Sequence, residues 1–175
     1  TSSSLADYLG SRPLTGIKTG FNEAYLIDTP TKEALIEADP KCARIISPYV
    51  RGSDIGRWTL NWDGMWMIAM KSSGDHSWPW TEAAGSAEEV FRHVYPSLYA
   101  HFAAYEHQLR KRQDQGRYWW ELRSCAYWDA FASPKLFYQL IMQYERCRQS
   151  GNLGSCWVEE LGLPATPLLQ NSEAL

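Results

Sequence analysis

Apolar and polar positions alternate most regularly over residues 58–70, where WTLNW and MWMIAM flank the pair Asp63-Gly64. An Asp-Gly pair between two alternating runs predicts a β-hairpin with a two-residue turn. In that register Trp58, Leu60, Trp62, Met65, Met67 and Ala69 share one face, and Thr59, Asn61, Trp66, Ile68 and Met70 share the other. The first face is almost entirely apolar and is expected to be core. A helical period follows: Leu98, Phe102, Tyr105 and Leu109 lie at spacings of four, three and four, an amphipathic stripe on a helix over 97–112 that Pro96 starts. Ser86 with Glu89 forms a capping box for a shorter helix ending near His93. Upstream, the run 24–27 suits a strand, and Thr31 caps a helix over 32–38 that Pro40 stops. A third apolar run, 136–142, follows Pro134 and reads as another strand, whereas beyond Tyr144 no clear strand is expected. Together these elements predict an α/β (α+β) domain with a mixed or antiparallel sheet, a hairpin at 58–70 and packed helices.

The organisation expected is a polar, Ser-rich arm over 1–12, one domain over 13–144, and a loosely packed tail over 145–175. A chain of 175 residues that is 45% apolar has enough surface to bury around one core, which argues against intrinsic disorder. No apolar run approaches the 18 or so residues of a membrane span. The first residue is Thr1, without a basic-then-apolar leader, so the sequence reads as a processed form or an excised piece. Cys42, Cys125, Cys147 and Cys156 are too sparse for a disulfide framework, and a reducing, cytoplasmic setting is expected.

Candidate chemistry is limited. Gly16 and Gly20 are not followed by Lys-Ser/Thr, so no phosphate-cradling loop is present, and the spacing of His76, His93, His101 and His107 suits no metal pair. Asp75-His76 beside Ser77 lacks a nucleophile elbow and reads as a solvated loop. No catalytic and no metal-binding residue is assigned. The loop 71–85 carries Trp78 and Trp80, either recognition residues or plugs on the rim of the core.

Charge distribution changes this picture more than the formal total of −3 does. Residues 41–57 hold four bases against one acid, and residues 108–123 hold five against two. The acidic excess sits in 28–39 and in the last residues, Glu159, Glu160 and Glu173. Basic stretches interleaved with Tyr49, Trp58, Tyr118 and Trp119 match a nucleic-acid footprint, while Arg110, Lys111 and Arg112 also suit the C-terminal end of a helix.

Four blocks carry a family resemblance: PLTGIKTGFNEAYLID (13–28), IISPYVRGSDIGRW (45–58), YPSLYAHFAAYEHQLRKR (95–112), and YWWEL (118–122) with FASPKLFYQLI (131–141). The first resembles the Gly-x-x-Thr-Gly-x-Asn-x-Ala/Phe opening of the TaqI-like specificity domain. That domain is the target-recognition module of adenine-N6 DNA methyltransferases in restriction-modification and phage-defence systems. The resemblance implies a TaqI-like target-recognition domain that docks on double-stranded DNA and reads bases mainly in the major groove. Lys18, Thr19, Asn22, Arg51, Arg57 and Arg112 match the family's motifs. With Lys71, Arg110, Arg117 and Trp119 they form the expected DNA-binding set, in which Arg51, Arg57, Lys71, Arg110, Arg112 and Arg117 line a basic face.

The catalytic Asn-Pro-Pro-Tyr/Phe signature and a Gly-rich cofactor loop are absent from the chain. It is therefore expected to be no enzyme alone and to bind no cofactor, with S-adenosylmethionine and methyl transfer assigned to an N-terminal methyltransferase domain in cis. The competing expectation is a protein-interaction module in which Trp66, Trp78, Trp80 and Trp119 meet a partner; Arg51 paired with Asp54 is the plain structural reading of that arginine.

Overall fold

Among the described residues the longest helix is capped by Asp28 and not by the expected Thr31: the Asp28 side chain accepts a hydrogen bond from the Thr31 amide (2.9 Å), with Pro30 in the first turn where no amide donor is needed. The computed structural model describes residues 14–56, 59–83, 85–133 and 135–138, together with 155–157 and 168–169. The expected arm, both expected domain boundaries, Arg57 and Trp58 lie outside these residues.

Within them the architecture is α+β, with five α-helices: α1 (Asn22–Tyr25), α2 (Thr29–Ala38), α3 (Ala87–Val94), α4 (Pro96–Ala103) and α5 (Glu106–Lys111). The strands are β1 (Leu26–Ile27), β2 (Ile46–Val50), β3 (Ile55–Gly56), β4 (Thr59–Leu60), β5 (Trp66–Ile68), β6 (Leu136–Tyr138), β7 (Ser155–Trp157) and β8 (Leu168–Leu169). A four-stranded mixed sheet runs in the order β1-β5-β2-β8; β5 pairs antiparallel with β1 and β2, and β8 adds parallel to β2. Strands β3–β4 and β6–β7 form two small antiparallel pairs.

The Asp63-Gly64 hairpin does not form. β4 pairs with β3 through Ile55–Leu60 and Gly56–Thr59, and β5 joins a different sheet. The corner at 61–65 is instead held from outside. The Trp62 indole donates to the carbonyls of Tyr49 (2.9 Å) and Met65 (3.0 Å), Thr29 Oγ1 donates to Gly64 O (3.2 Å), and Arg51 takes the Asp63 carboxylate. Gly64 does adopt the positive φ (81°) that its place in the sequence suggests, but in a corner rather than a two-residue turn. Because β5 is central and covered on both faces, Met67 and Ile68 are both fully buried, and the expected division into one core face and one outer face fails.

The helix over 97–112 is broken. Tyr105 leaves helical geometry (φ −114°, ψ 9°) between α4 and α5, and its amide donates to Phe102 O (2.9 Å). At the break its ring meets Phe21 (5.8 Å between centroids) and His101 (5.6 Å), a tertiary contact invisible to a helical period. The core stripe survives, with Leu98, Phe102 and Leu109 fully buried. Helix α3 follows expectation: Ser86 accepts from the Glu89 amide. The expected strand at 24–27 is half helical, its first two residues ending α1. Only 136–138 of the expected strand 136–142 is described. After 144, where no clear strand is expected, β7 and β8 are present; at three and two residues they are too short for a period-2 signal.

His101 ties α4 to α1 by donating its Nε2–H to Ala24 O (2.9 Å), and burial pushes its pKa below the usual value. The folded chain then binds fewer protons here than the unfolded chain, whose histidine titrates near about 6.5. Stability from this group is present above that pH and lost as pH falls below it. Urea midpoints are expected to decline between pH 7 and 5 less steeply in His101→Gln than in the parent; equal slopes would refute this assignment.

Candidate nucleic-acid interface

The core of the domain is aromatic. Trp80 and Trp120 are buried beside Phe91, whose ring stacks on Trp120 at 5.0 Å, and Trp78 lies flat on Trp80 at 4.9 Å. Trp78, Trp80 and Trp119 therefore belong to the interior (8%, 0% and 6% exposed) and present no recognition surface, the first two because their loop folds back onto the core. Two buried charges lie in this core, and the first of them holds the loop. Glu121, with no exposed surface, accepts from Ser73 N (3.0 Å), Ser73 Oγ, Trp80 Nε1 (2.9 Å) and Tyr118 N (3.2 Å). A buried carboxylate is tolerable when its lone pairs are met in this way.

Arg112 is the second. Its guanidinium, 7% exposed, donates to the carbonyls of Thr19 (2.6 Å), Asp114 (3.0 Å), Trp119 (2.9 Å) and Glu121, and lies 4.8 Å from the centroid of the Tyr25 ring. Tyr25 in turn donates its hydroxyl to Trp120 O (2.9 Å). Burial lowers the Arg112 pKa from its ordinary value, but a guanidinium starts so high that it stays charged. Arg112 therefore sits inside the fold and not on a basic face, since the planar fork of donors meets converging backbone carbonyls that no shorter cation could span.

Above this clamp is the loop holding Lys18, Thr19 and Asn22. Gly20 has φ 67°, and a Cβ there would approach Asp114 Cβ at 3.2 Å, so the chain turns tightly against the segment after α5. Thr19 is buried, Lys18 half-buried and Asn22 exposed. Arg123 pairs with Asp114 (3.0 Å) beside it.

The remaining expected residues are scattered. Arg51 is bound to Asp54 (3.2 Å) and to Asp63, the plain structural reading of that arginine with a second acid added. Arg110 is bound to Glu106 (2.7 Å) and Glu88 (3.2 Å) and lies 5.1 Å over the Trp119 ring. Lys71 is half-buried, its ammonium 5.2 Å over Trp128. Arg117 is exposed, reaching Thr81 O (3.4 Å) and covering Tyr118 at 5.6 Å. Of the expected basic face, Arg112 is interior, Arg51 and Arg110 are held by carboxylates, and Arg57 lies outside the described residues. Glu121, Ser73 and Tyr25 were not legible as site-building residues, although a lone acid inside the aromatic run YWWEL is a usable signal of a buried, satisfied carboxylate.

Among the described residues no group of three or more His, Cys, Asp or Glu is placed to hold a metal ion, and no helix is long and apolar enough to cross a membrane. Cys42 is buried and Cys125 half-buried, both as free thiols. The chain matches no family model, and no curated protein matches it.

Proposed function

We propose that this chain recognises double-stranded DNA in a sequence-specific manner, as the specificity module of an adenine-N6 DNA methyltransferase or a combined restriction-modification enzyme. Methyl transfer then belongs to an N-terminal methyltransferase domain in cis, which carries S-adenosylmethionine, and the setting is cytoplasmic. What carries the reading is the way the resembling blocks meet. Arg112, from 95–112, binds Thr19 of 13–28 and both Trp119 and Glu121 of 118–122. Segments far apart in sequence and alike to one family thus build one feature, a rigid loop presenting Asn22, with Lys18 within it.

In this reading Lys18, Asn22, Lys71 and Arg117 meet the duplex, and Thr19, Arg112 and Trp119 support them from inside. Arg51 and Arg110 exchange a carboxylate for a phosphate on binding, a charge-assisted pair of the same kind. A protein-interaction role finds less support, since three of its four tryptophans are buried and Trp66 is half-buried under Lys32 (4.3 Å).

Affinity for a duplex of random sequence is expected to fall with salt at a log-log slope of about −0.9 per phosphate neutralised, and Arg117→Ala to flatten that slope by about 0.9. Fluorescence anisotropy over a salt series measures both. A folded chain that binds no duplex at low salt would overturn the reading.

A further inference from the structure

Trp78 is the outer ring of its stack with Trp80, and three segments of the chain bring cations to its surroundings. His76 is exposed and sets its ring edge-on against the indole (4.5 Å between centroids). The indole Nε1–H donates to Lys71 O (2.8 Å), and the Lys71 ammonium lies over Trp128. The Trp78 amide donates to Thr81 Oγ1 (2.8 Å), and the Thr81 carbonyl is the one that Arg117 reaches. Tyr95 meets the same indole edge-on (6.3 Å) and carries the third segment, the 3-10 turn Pro40–Arg44. There Lys41 donates to Val94 O and lies 5.5 Å from the Tyr95 centroid. Arg44 stands close enough for its charge to oppose the rise that burial causes in the Tyr95 pKa.

These cations differ from the others in what they hold. Arg51, Arg110 and Arg123 each face a carboxylate. Among the described residues Arg44, Lys71 and Arg117 form no ion pair, and the exposed Arg44 guanidinium makes no hydrogen bond either. The acids nearby are engaged inward: Asp39 is buried, takes the Lys41 amide (3.1 Å) and lies 3.8 Å from Lys41 Nζ, and Asp75 takes the Cys125 amide (2.6 Å). Glu82 is an exposed acid of the same loop. A cation with no carboxylate gives up no existing contact when it meets an anion. We propose that the surface around Trp78, carrying Arg44, Lys71, His76 and Arg117, takes the sugar-phosphate backbone of one DNA strand. This rests on the duplex-DNA reading above and names the surface that meets the phosphates. Such contacts fix orientation and supply salt-dependent affinity while leaving base readout to other residues. Burial and the Lys71 charge hold the His76 pKa below its ordinary value, so this residue offers a neutral ring N–H rather than a charge.

The test is fluorescence anisotropy with a duplex of random sequence over a salt series at neutral pH. Arg44→Ala and Lys71→Ala are each expected to flatten the log-log slope by about 0.9, and the double variant by about 1.8, one phosphate for each charge. Arg44→Lys is expected to restore the slope, and Arg44→Ala to keep the urea midpoint of the parent, since that side chain is exposed. Lys32→Ala removes an equal charge from a residue placed over Trp66 and beside Glu33, and is expected to leave the slope unchanged. Glu82→Gln is expected to tighten binding at low salt roughly twofold, by removing one repulsion at the edge of the surface. A parent that binds while Arg44→Ala and Lys71→Ala keep its full slope would overturn the inference and leave the duplex reading standing. Equal flattening by Lys32→Ala would do the same, because it marks diffuse attraction to the whole chain. A folded parent that binds no duplex at low salt overturns the reading and the inference together.

Discussion

Replacing Arg112 with alanine is expected to destabilise the fold by about 3–5 kcal/mol, the range for removing one member of a buried charged network. Four backbone carbonyls, of Thr19, Asp114, Trp119 and Glu121, take their donors from this one guanidinium. Each buried carbonyl stranded without a donor costs about 1–3 kcal/mol, and relaxation with entry of water keeps the total below the simple sum. A loss of this size is a large part of the roughly 5–15 kcal/mol that holds a domain together. Arg112→Lys is expected to recover less than half, because one ammonium cannot reach carbonyls fanned around a planar fork. Urea denaturation checks both; a loss under about 1 kcal/mol for the alanine variant would mean that the clamp does not hold the 18–22 loop.

Glu121→Gln is expected to cost about 1–3 kcal/mol although it changes no volume. Oε1 accepts from Ser73 Oγ and Trp80 Nε1, and Oε2 from the amides of Ser73 and Tyr118. With the glutamine nitrogen at Oε2 two amides face a donor, whereas at Oε1 the Ser73 hydroxyl turns to accept and the Trp80 indole alone is unmet, at about 1–3 kcal/mol for each group left unmet. Since Arg112 also binds the Glu121 carbonyl, the two sites share a partner and their effects are not independent. A double-mutant cycle of Arg112→Ala with Glu121→Gln is expected to show a coupling of about 0.5–3 kcal/mol. Strict additivity would separate the loop at 71–85 from the clamp under 18–22 and refute a shared network.

Local signals in the sequence were dependable where a local interaction decides the structure. The Ser86 cap, Pro96 in a first helical turn and the 98-102-109 core stripe all follow from spacings of a few residues. Asp63-Gly64 misled for the opposite reason. The pair has the chemistry of a tight turn, but Arg51, Thr29 and the Tyr49 carbonyl hold the corner from other elements, and those partners lie outside any local window. The break at Tyr105 has the same origin, in a ring contact with Phe21 made across the fold.

For the candidate site the division is sharper. From residue types alone Arg51, Arg110 and Arg112 are three equal cations in two basic stretches. In the fold Arg112 is a buried clamp, while Arg51 and Arg110 are ion-paired near the surface. The sequence by itself determined the α+β class, the helix starts at Ser86 and Pro96, the segregation of charge and the motif blocks, because these follow from composition and short-range spacing. Which arginines reach solvent and which tryptophans are interior were decided only by tertiary structure. Burial and hydrogen-bond partners are properties of converging segments, and Thr19 and Arg112, 93 positions apart, meet only when the chain between them has folded.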